Sequence, residues 1–235
     1  MPAISLVMPV YNEAPVIERV LRSYRDRLER VGPGSEIIVM DDASTDGTSA
    51  ILDRLSGEMP LKVLRSPARI GHTASAVRGL AAAKNELIFY SDSDGQFDPG
   101  DLDKLLAAID GADIVIGWRK ERRDPLSRLF FASILKQLAN SLFGSSFNDI
   151  DSSFRLVRRK VANDLLKTDF YFKEGFSAQF TIRAAAKGYR IREVPVKHFP
   201  SARGSNFLPP YRTVPVAIRM MSDLIRLKRE LTRAV

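Results

Sequence analysis

The 235-residue sequence contains no cysteine, which removes disulfides, thiol nucleophiles and thiolate metal sites together and is compatible with a reducing compartment. Histidine is scarce: with only His72 and His198, the sequence argues against a multi-histidine zinc site. No uninterrupted apolar run reaches the ~20 residues that span a bilayer. The opening MPAISLVMPVYNEA lacks the basic start and small-residue cleavage site of a signal peptide. A soluble or peripheral protein on the cytoplasmic side of a membrane is therefore expected. No G-x-G-x-x-G follows the first apolar run and no P-loop motif occurs, so a dinucleotide-binding or P-loop reading fails at its first test.

What the sequence has in surplus is positive charge, a formal net +8. It is unevenly spread. Ten Lys/Arg face four Asp/Glu between Trp118 and Lys160, and six face two between Tyr211 and Val235. Such asymmetry suggests an anionic partner: nucleic acid, phosphate ligands or an acidic membrane face. The length allows one larger α/β domain. We expect that domain over residues 1–210, followed by a basic amphipathic helix over 211–235.

Short apolar runs alternate with helical patterns through the first half. ISLVMPV (4–10), EIIVMDD (36–42), LKVLRS (61–66), ELIFYSD (86–92) and ADIVIGW (112–118) read as strands, several continuously apolar, as strands buried on both faces are. Val16, Ile17, Val20, Leu21, Tyr24 and Leu28 mark an amphipathic helix that ends near Gly32-Pro33-Gly34. Further helices are expected in STDGTSAILDRL, in GHTASAVRGLAAA and in DPGDLDKLLAAI, the last with Asp98 as N-cap and Pro99 in the first turn. The alternation predicts a mostly parallel sheet with helices on both faces, whose ligands bind beyond the carboxyl ends of the strands. In the second half, 125–147, 174–187 and 214–231 read as helices and RIREVPVKHF as a strand.

One stretch, SDSDGQFDPGD (91–101), packs four carboxylates into eleven positions of a basic chain. Like charges repel, so a cation or helix capping must offset the cost. Asp92, Asp94 and Gln96 alternate, which in strand geometry points their side chains to one side. Two carboxylates and an amide oxygen suit Mg²⁺ or Mn²⁺ with places left open for phosphates. An EF-hand loop starting at Asp92 is excluded, because its sixth and twelfth positions are Phe97 and Asp103. Capping accounts for Asp98 but leaves Asp92 and Asp94 uncompensated.

VMPVYNE, IIVMDDASTDGT, RIGHTASAVRGLAAA, DSDGQFDP and DIVIGWR occur in the order and spacing of family 2 glycosyltransferases, and the chain resembles their dolichyl- or polyprenyl-phosphate hexosyltransferase branch over about residues 4–205. The resemblance implies the GT-A fold and a nucleotide-sugar donor of the GDP-mannose or UDP-glucose type. It places Pro9, Tyr11 and Glu13 at the nucleoside, Asp41 and Asp42 at base or ribose, Arg69 at the nucleotide, with Asp92 and Ser93 completing that set. Of Asp41 and Asp42, one is free to cap the following helix while the other binds. Asp92, Asp94 and Gln96 match the family's metal-binding D-x-D-x-Q.

On the acceptor side the resemblance implies inverting attack by a polyprenyl phosphate. A phosphate monoester with a second pKa near ~6 is already ionised at neutrality and needs positioning arginines more than a base. Arg119 matches the arginine of G-x-R. Arg128 with Ser133 lies near the R-x-x-x-S element, and Arg203, beside His198, near a late basic element. NDIDSSFRLVRRKV aligns with D-P-x-S-G-F, with Asp149 for the first Asp and Ser153 for Gly. Asp149 or Asp151 would be the base for a hydroxyl acceptor, the main alternative. A non-enzymatic basic binding module explains the charge but not residues 92–96, and no aromatic-studded sheet or recognition-helix motif supports nucleic-acid binding. Family members often end in transmembrane helices. Here the segments 125–147 and 214–231 are expected to lie on an anionic membrane, to pack on the core, or to be served by a membrane-anchored partner subunit.

Overall fold

The computed structural model describes residues 2–120, 126–144, 146–200 and 210–233. Seven strands form one sheet: β1 (Ile4–Val10), β2 (Glu36–Asp41), β3 (Leu61–Arg65), β4 (Leu87–Tyr90), β5 (Ile114–Arg119), β6 (Arg155–Arg158) and β7 (Ile191–Val196). Their order is β3-β2-β1-β4-β6-β5-β7. Only β6 runs against the rest, pairing antiparallel with both β4 and β5. The helices are α1 (Ile17–Val31), α2 (Thr48–Glu58), α3 (His72–Ala81), α4 (Leu102–Ala108), α5 (Leu126–Phe143), α6 (Arg159–Leu165), α7 (Phe176–Ala186) and α8 (Pro210–Arg233). The expected strands and helices are present. β6 and α6 are additions that the sequence reading did not foresee.

β1 is buried at every position because its two faces serve two cores. Ile4, Leu6, Met8 and Val10 join α1, α2 and α4 through Leu21, Tyr24, Leu52 and Leu105, while Val7 joins α3, α6 and α7 through Leu80, Leu165 and Phe180. Period-two alternation thus appears in where side chains go, while the sequence itself reads as uniformly apolar. Each such Leu, Ile or Phe contributes about 1.5–3 kcal/mol on leaving water.

A third cluster, Ala139, Ile150, Phe172, Ile182, Leu224 and Leu227, fastens α5 and α8 to the flank beside α7. α8 carries apolar residues on two faces: Leu224 and Leu227 are buried, whereas Ile218, Met221 and Ile225 are 62%, 39% and 42% exposed. Ile218, Met221 and Ile225 thus form an outward stripe at helical spacing, and core packing does not account for it. Among the described residues no helix is long and apolar enough to cross a membrane.

Candidate functional site

The carboxyl ends of β1, β2 and β4 open onto a cavity of ≈ 250 Å³. Its wall includes Pro9, Tyr11, Glu13, Asp42, Arg69, Asp92, Ser93 and Asp94, eight of the residues expected from sequence, together with Val10, His72 and Ser75. Loops from separate strands meet there because parallel strands all end on one edge.

The loops are bound to one another. Asn12 sits at φ 54, in the left-handed region that asparagine tolerates, and its Oδ1 accepts from the Thr45 amide at 2.7 Å. The Glu13 amide donates to Thr48 Oγ1 at 2.8 Å and the Ala14 amide to Asp46 Oδ2 at 3.1 Å. Asp46 also accepts from the Thr48 amide and hydroxyl. Burial works against its charge, but these hydrogen bonds prevail and hold its pKa below the usual value. Gly47, the N-cap of helix α2, offers no side chain to the Thr48 amide, and the preceding Asp46 does that work.

Asp41 and Asp42 divide their labour. Asp41 turns into its own loop, accepting from the Ser44 amide at 3.1 Å and the Ser49 hydroxyl at 2.5 Å, and does not line the cavity. Asp42 lines it, with its two oxygens accepting from the Ile70 and Gly71 amides at 2.7 and 2.9 Å. That contact fixes the loop carrying Arg69, whose guanidinium lies 4.0 Å from the centre of the Tyr11 ring, a cation–π contact.

At the end of β4, Asp92 accepts from the Ser153 hydroxyl at 2.6 Å and stands 3.4 Å from His72 Nε2. His72 Nε2 also lies 3.0 Å from the Tyr90 hydroxyl. Enclosure by protein disfavours the charged imidazole, yet the bond to Asp92 outweighs it and raises the His72 pKa. Burial likewise disfavours ionised Asp92, but His72 and Ser153 bring its pKa below normal. Asp94 behaves oppositely: burial first, then the charge of Asp92, push it up to about 7. Its Oδ1 accepts from the Gln96 amide at 3.0 Å.

Gln96 is not part of the cavity wall. β4 stops at Tyr90 and Gly95 turns the chain at φ 72, so strand alternation does not reach Gln96; its side-chain amide donates to the Phe199 carbonyl at 2.9 Å. Among the described residues no cluster of three His, Cys, Asp or Glu could hold a metal by itself.

Arg119 and Asp149 meet each other. Arg119 Nε and Nη2 donate to the two Asp149 oxygens at 2.6 and 2.8 Å, and the side chains are only 12% and 8% exposed. The 148–149 backbone is in turn held by Glu193 of β7, which accepts from the Asn148 and Asp149 amides. Asp151 accepts from the Ala178 amide, and burial raises its pKa. Arg203 and the side chain of Arg128 lie outside the described residues. His72, Ser75 and the Ser153–Asp92 bond were missed as site features; the only signal was Ser153 standing where the family pattern has glycine.

Residues 5–166 match the sequence profile of Glycosyl transferase family 2. The chain is 30% identical over 203 residues to an undecaprenyl-phosphate mannosyltransferase of Micrococcus luteus, with 81% of each chain covered. It is 27% identical over 198 residues to an undecaprenyl-phosphate 4-deoxy-4-formamido-L-arabinose transferase of Salmonella typhimurium, spanning 83% of this chain but only 59% of that relative. Among solved structures, glucosyl-3-phosphoglycerate synthase of Mycobacterium tuberculosis, in complex with Mn²⁺, UDP and phosphoglyceric acid, superposes with a TM-score of 0.73 over 97% of this chain and 78% of that one, at 20% identity. That likeness bears on the fold, which is of the GT-A type.

Proposed function

The chain belongs to glycosyl transferase family 2, and within that family we propose that it moves a hexose from a nucleotide sugar to a polyprenyl phosphate with inversion at the anomeric carbon. The observation that carries the donor half is the cavity itself, which gathers Tyr11, Asp42 and Arg69 together with Asp92 and Asp94. An aromatic ring, a carboxylate and a guanidinium suit a nucleoside. Two carboxylates, one driven up to about 7 by burial and its neighbour's charge, form a donor set that a hard cation would relieve. Asp92 and Asp94 would hold Mg²⁺ or Mn²⁺, while Gln96 is engaged by the Phe199 carbonyl. Bound there, the ion would supply charge neutralisation for the leaving nucleoside diphosphate.

The chain's own residues do the remaining work. Asp42 holds the Arg69 loop against Tyr11, and Ser153 with His72 fixes the orientation of Asp92. Arg119, kept in place by Asp149, brings positive charge near both cavity carboxylates, where an anionic acceptor must approach. The acceptor class is supported by the Micrococcus relative, named for transfer to undecaprenyl phosphate, and by the exposed stripe of α8, flanked by Arg219, Arg226, Arg229 and Arg233, which suits an anionic membrane surface. A hydroxyl acceptor needs a carboxylate free to take a proton. Asp149 already accepts from Arg119, which weighs against it in that role and leaves Asp151 as the base of that alternative.

The test is transfer from a panel of UDP- and GDP-sugars to polyprenyl phosphate and to free polyprenol. Activity is expected with the phosphate alone, lost in excess EDTA and restored by Mn²⁺. Asp94→Ala should lower kcat/KM by about 10²–10³-fold, the scale of losing one stabiliser of developing charge, while leaving the fold intact. Full activity in EDTA would remove the metal, and turnover of polyprenol without a phosphate would remove the acceptor assignment.

A further inference from the structure

Ser75 is 1% exposed, lines the cavity, and its hydroxyl has no hydrogen-bond partner among the described residues. A serine inside a helix can satisfy its hydroxyl on the carbonyl one turn back. Here the Gly71 carbonyl takes the Ser75 amide at 3.1 Å and the hydroxyl is left over. A buried hydroxyl without a partner costs stability, so a ligand that supplies one gains an interaction already desolvated and held on a rigid element.

Where the hydroxyl sits narrows the ligand. One turn further along α3, Gly79 lies directly on the sheet: a Cβ there would come 2.5 Å from Val7 Cγ1 and 3.0 Å from Met40 Cγ. α3 crosses back antiparallel to β1 and β2, so Ser75 stands one turn nearer the carboxyl ends of those strands, level with Pro9 and Asp42, which share the cavity wall with it. Asp42 belongs with Tyr11 and Arg69 to the nucleoside set of the reading above, its carboxylate holding the amides that follow Arg69.

We propose that the Ser75 hydroxyl is a binding group for the donor, hydrogen-bonding a polar atom of its nucleoside, base or ribose. The assignment rests on the nucleotide-sugar reading and adds to it a residue that recognises the donor while taking no part in charge neutralisation. In Ser75→Ala, the unliganded protein loses an unsatisfied group and gains a better helix former, so its Tm should hold or rise. Affinity should move the other way. By isothermal titration with Mn²⁺, the Kd of UDP or GDP, whichever the unaltered protein binds, should rise about 3–10-fold, the value of one neutral hydrogen bond. The corresponding monophosphate should lose affinity by the same factor, and inorganic pyrophosphate should be unaffected. An unchanged Kd for the nucleotides would make the hydroxyl an internal packing defect and overturn the proposal. An equal loss for pyrophosphate would overturn the nucleoside assignment. If the unaltered protein binds neither UDP nor GDP, the donor reading fails first, an outcome distinguishable from any effect of the substitution.

Discussion

The strand-end cavity and the α5–α8 flank solve opposite problems. Around the cavity, polar groups are engaged with one another: Asn12 with Thr45, Asp46 with Ala14 and Thr48, Asp42 with the 70–71 amides, Ser153 with Asp92. On the flank, cohesion is apolar, through Leu224, Leu227, Ile182 and Phe172, and an outward stripe of Ile218, Met221 and Ile225 is left over. A lattice of directional bonds fixes positions to fractions of an ångström, as recognition of a small polar molecule requires. A greasy seam fixes only proximity, which suffices for an element that faces a broad surface.

The contrast can be broken at the seam first. Leu227 is fully buried, so Leu227→Ala should cost about 2–5 kcal/mol of local stability. Hydrogen exchange should then show α8 losing protection while β1, β2 and β4 keep theirs, and the Kd for nucleotide should stay constant. Joint loss of protection in both regions would mean that they are one cooperative unit.

A smaller effect is expected on the cavity side from Asp46→Ala, which removes the carboxylate that joins the starts of α1 and α2. Because Asp46 is exposed, about 1 kcal/mol is expected at neutral pH, the scale of a helix cap. Its folded pKa is depressed, so this contribution is complete above the ordinary carboxylate value of 3.8 and disappears as pH falls through the lower folded value. Denaturation curves of the two proteins should converge in that window, whereas a constant difference would assign the effect to packing. Smallest in stability is Ile218→Ser, on a residue 62% exposed: within about 0.5 kcal/mol. Its readout is sedimentation with anionic vesicles, expected to weaken with the substitution and with salt, since the Debye length is ~8 Å at physiological ionic strength. Equal binding of both proteins would remove the outward stripe from membrane contact.

The parallel half of the sheet was legible because each strand is an unbroken apolar run bounded by turn residues, and the site was legible because parallel strands deliver their following loops to one edge. β6 was not. Its four residues, RLVR, begin and end with arginine, and charge there reads as solvated surface. Arg155 is in fact 1% exposed, its guanidinium donating to the Ser152 and Ser177 carbonyls and to Thr181, with burial pulling its pKa down to about 10. No local pattern announces the Ser177 carbonyl and Thr181 hydroxyl, which come from α7. Gln96 went astray for a different reason: alternation was carried past Tyr90, where β4 ends. Ser75 was invisible because a serine on a small-residue helix looks the same whether or not its hydroxyl is used.

The reversal of β6 has a consequence for how such a protein can change. Its first residue, Arg155, pairs with Tyr90, the last of β4, so the segment 148–154 reaches the site by entering a strand, whereas the loops after β1, β2 and β4 reach it by leaving one. Those exit loops each feed a crossover helix, and altering their length shifts a helix across the sheet. The entry loop feeds only the strand, whose register is held on both sides by β4 and β5. Insertions or deletions between Phe147 and Ser152 would therefore disturb the Arg119–Asp149 pair and its Glu193 support without shifting the helices behind the wall that carries Tyr11 and Asp42.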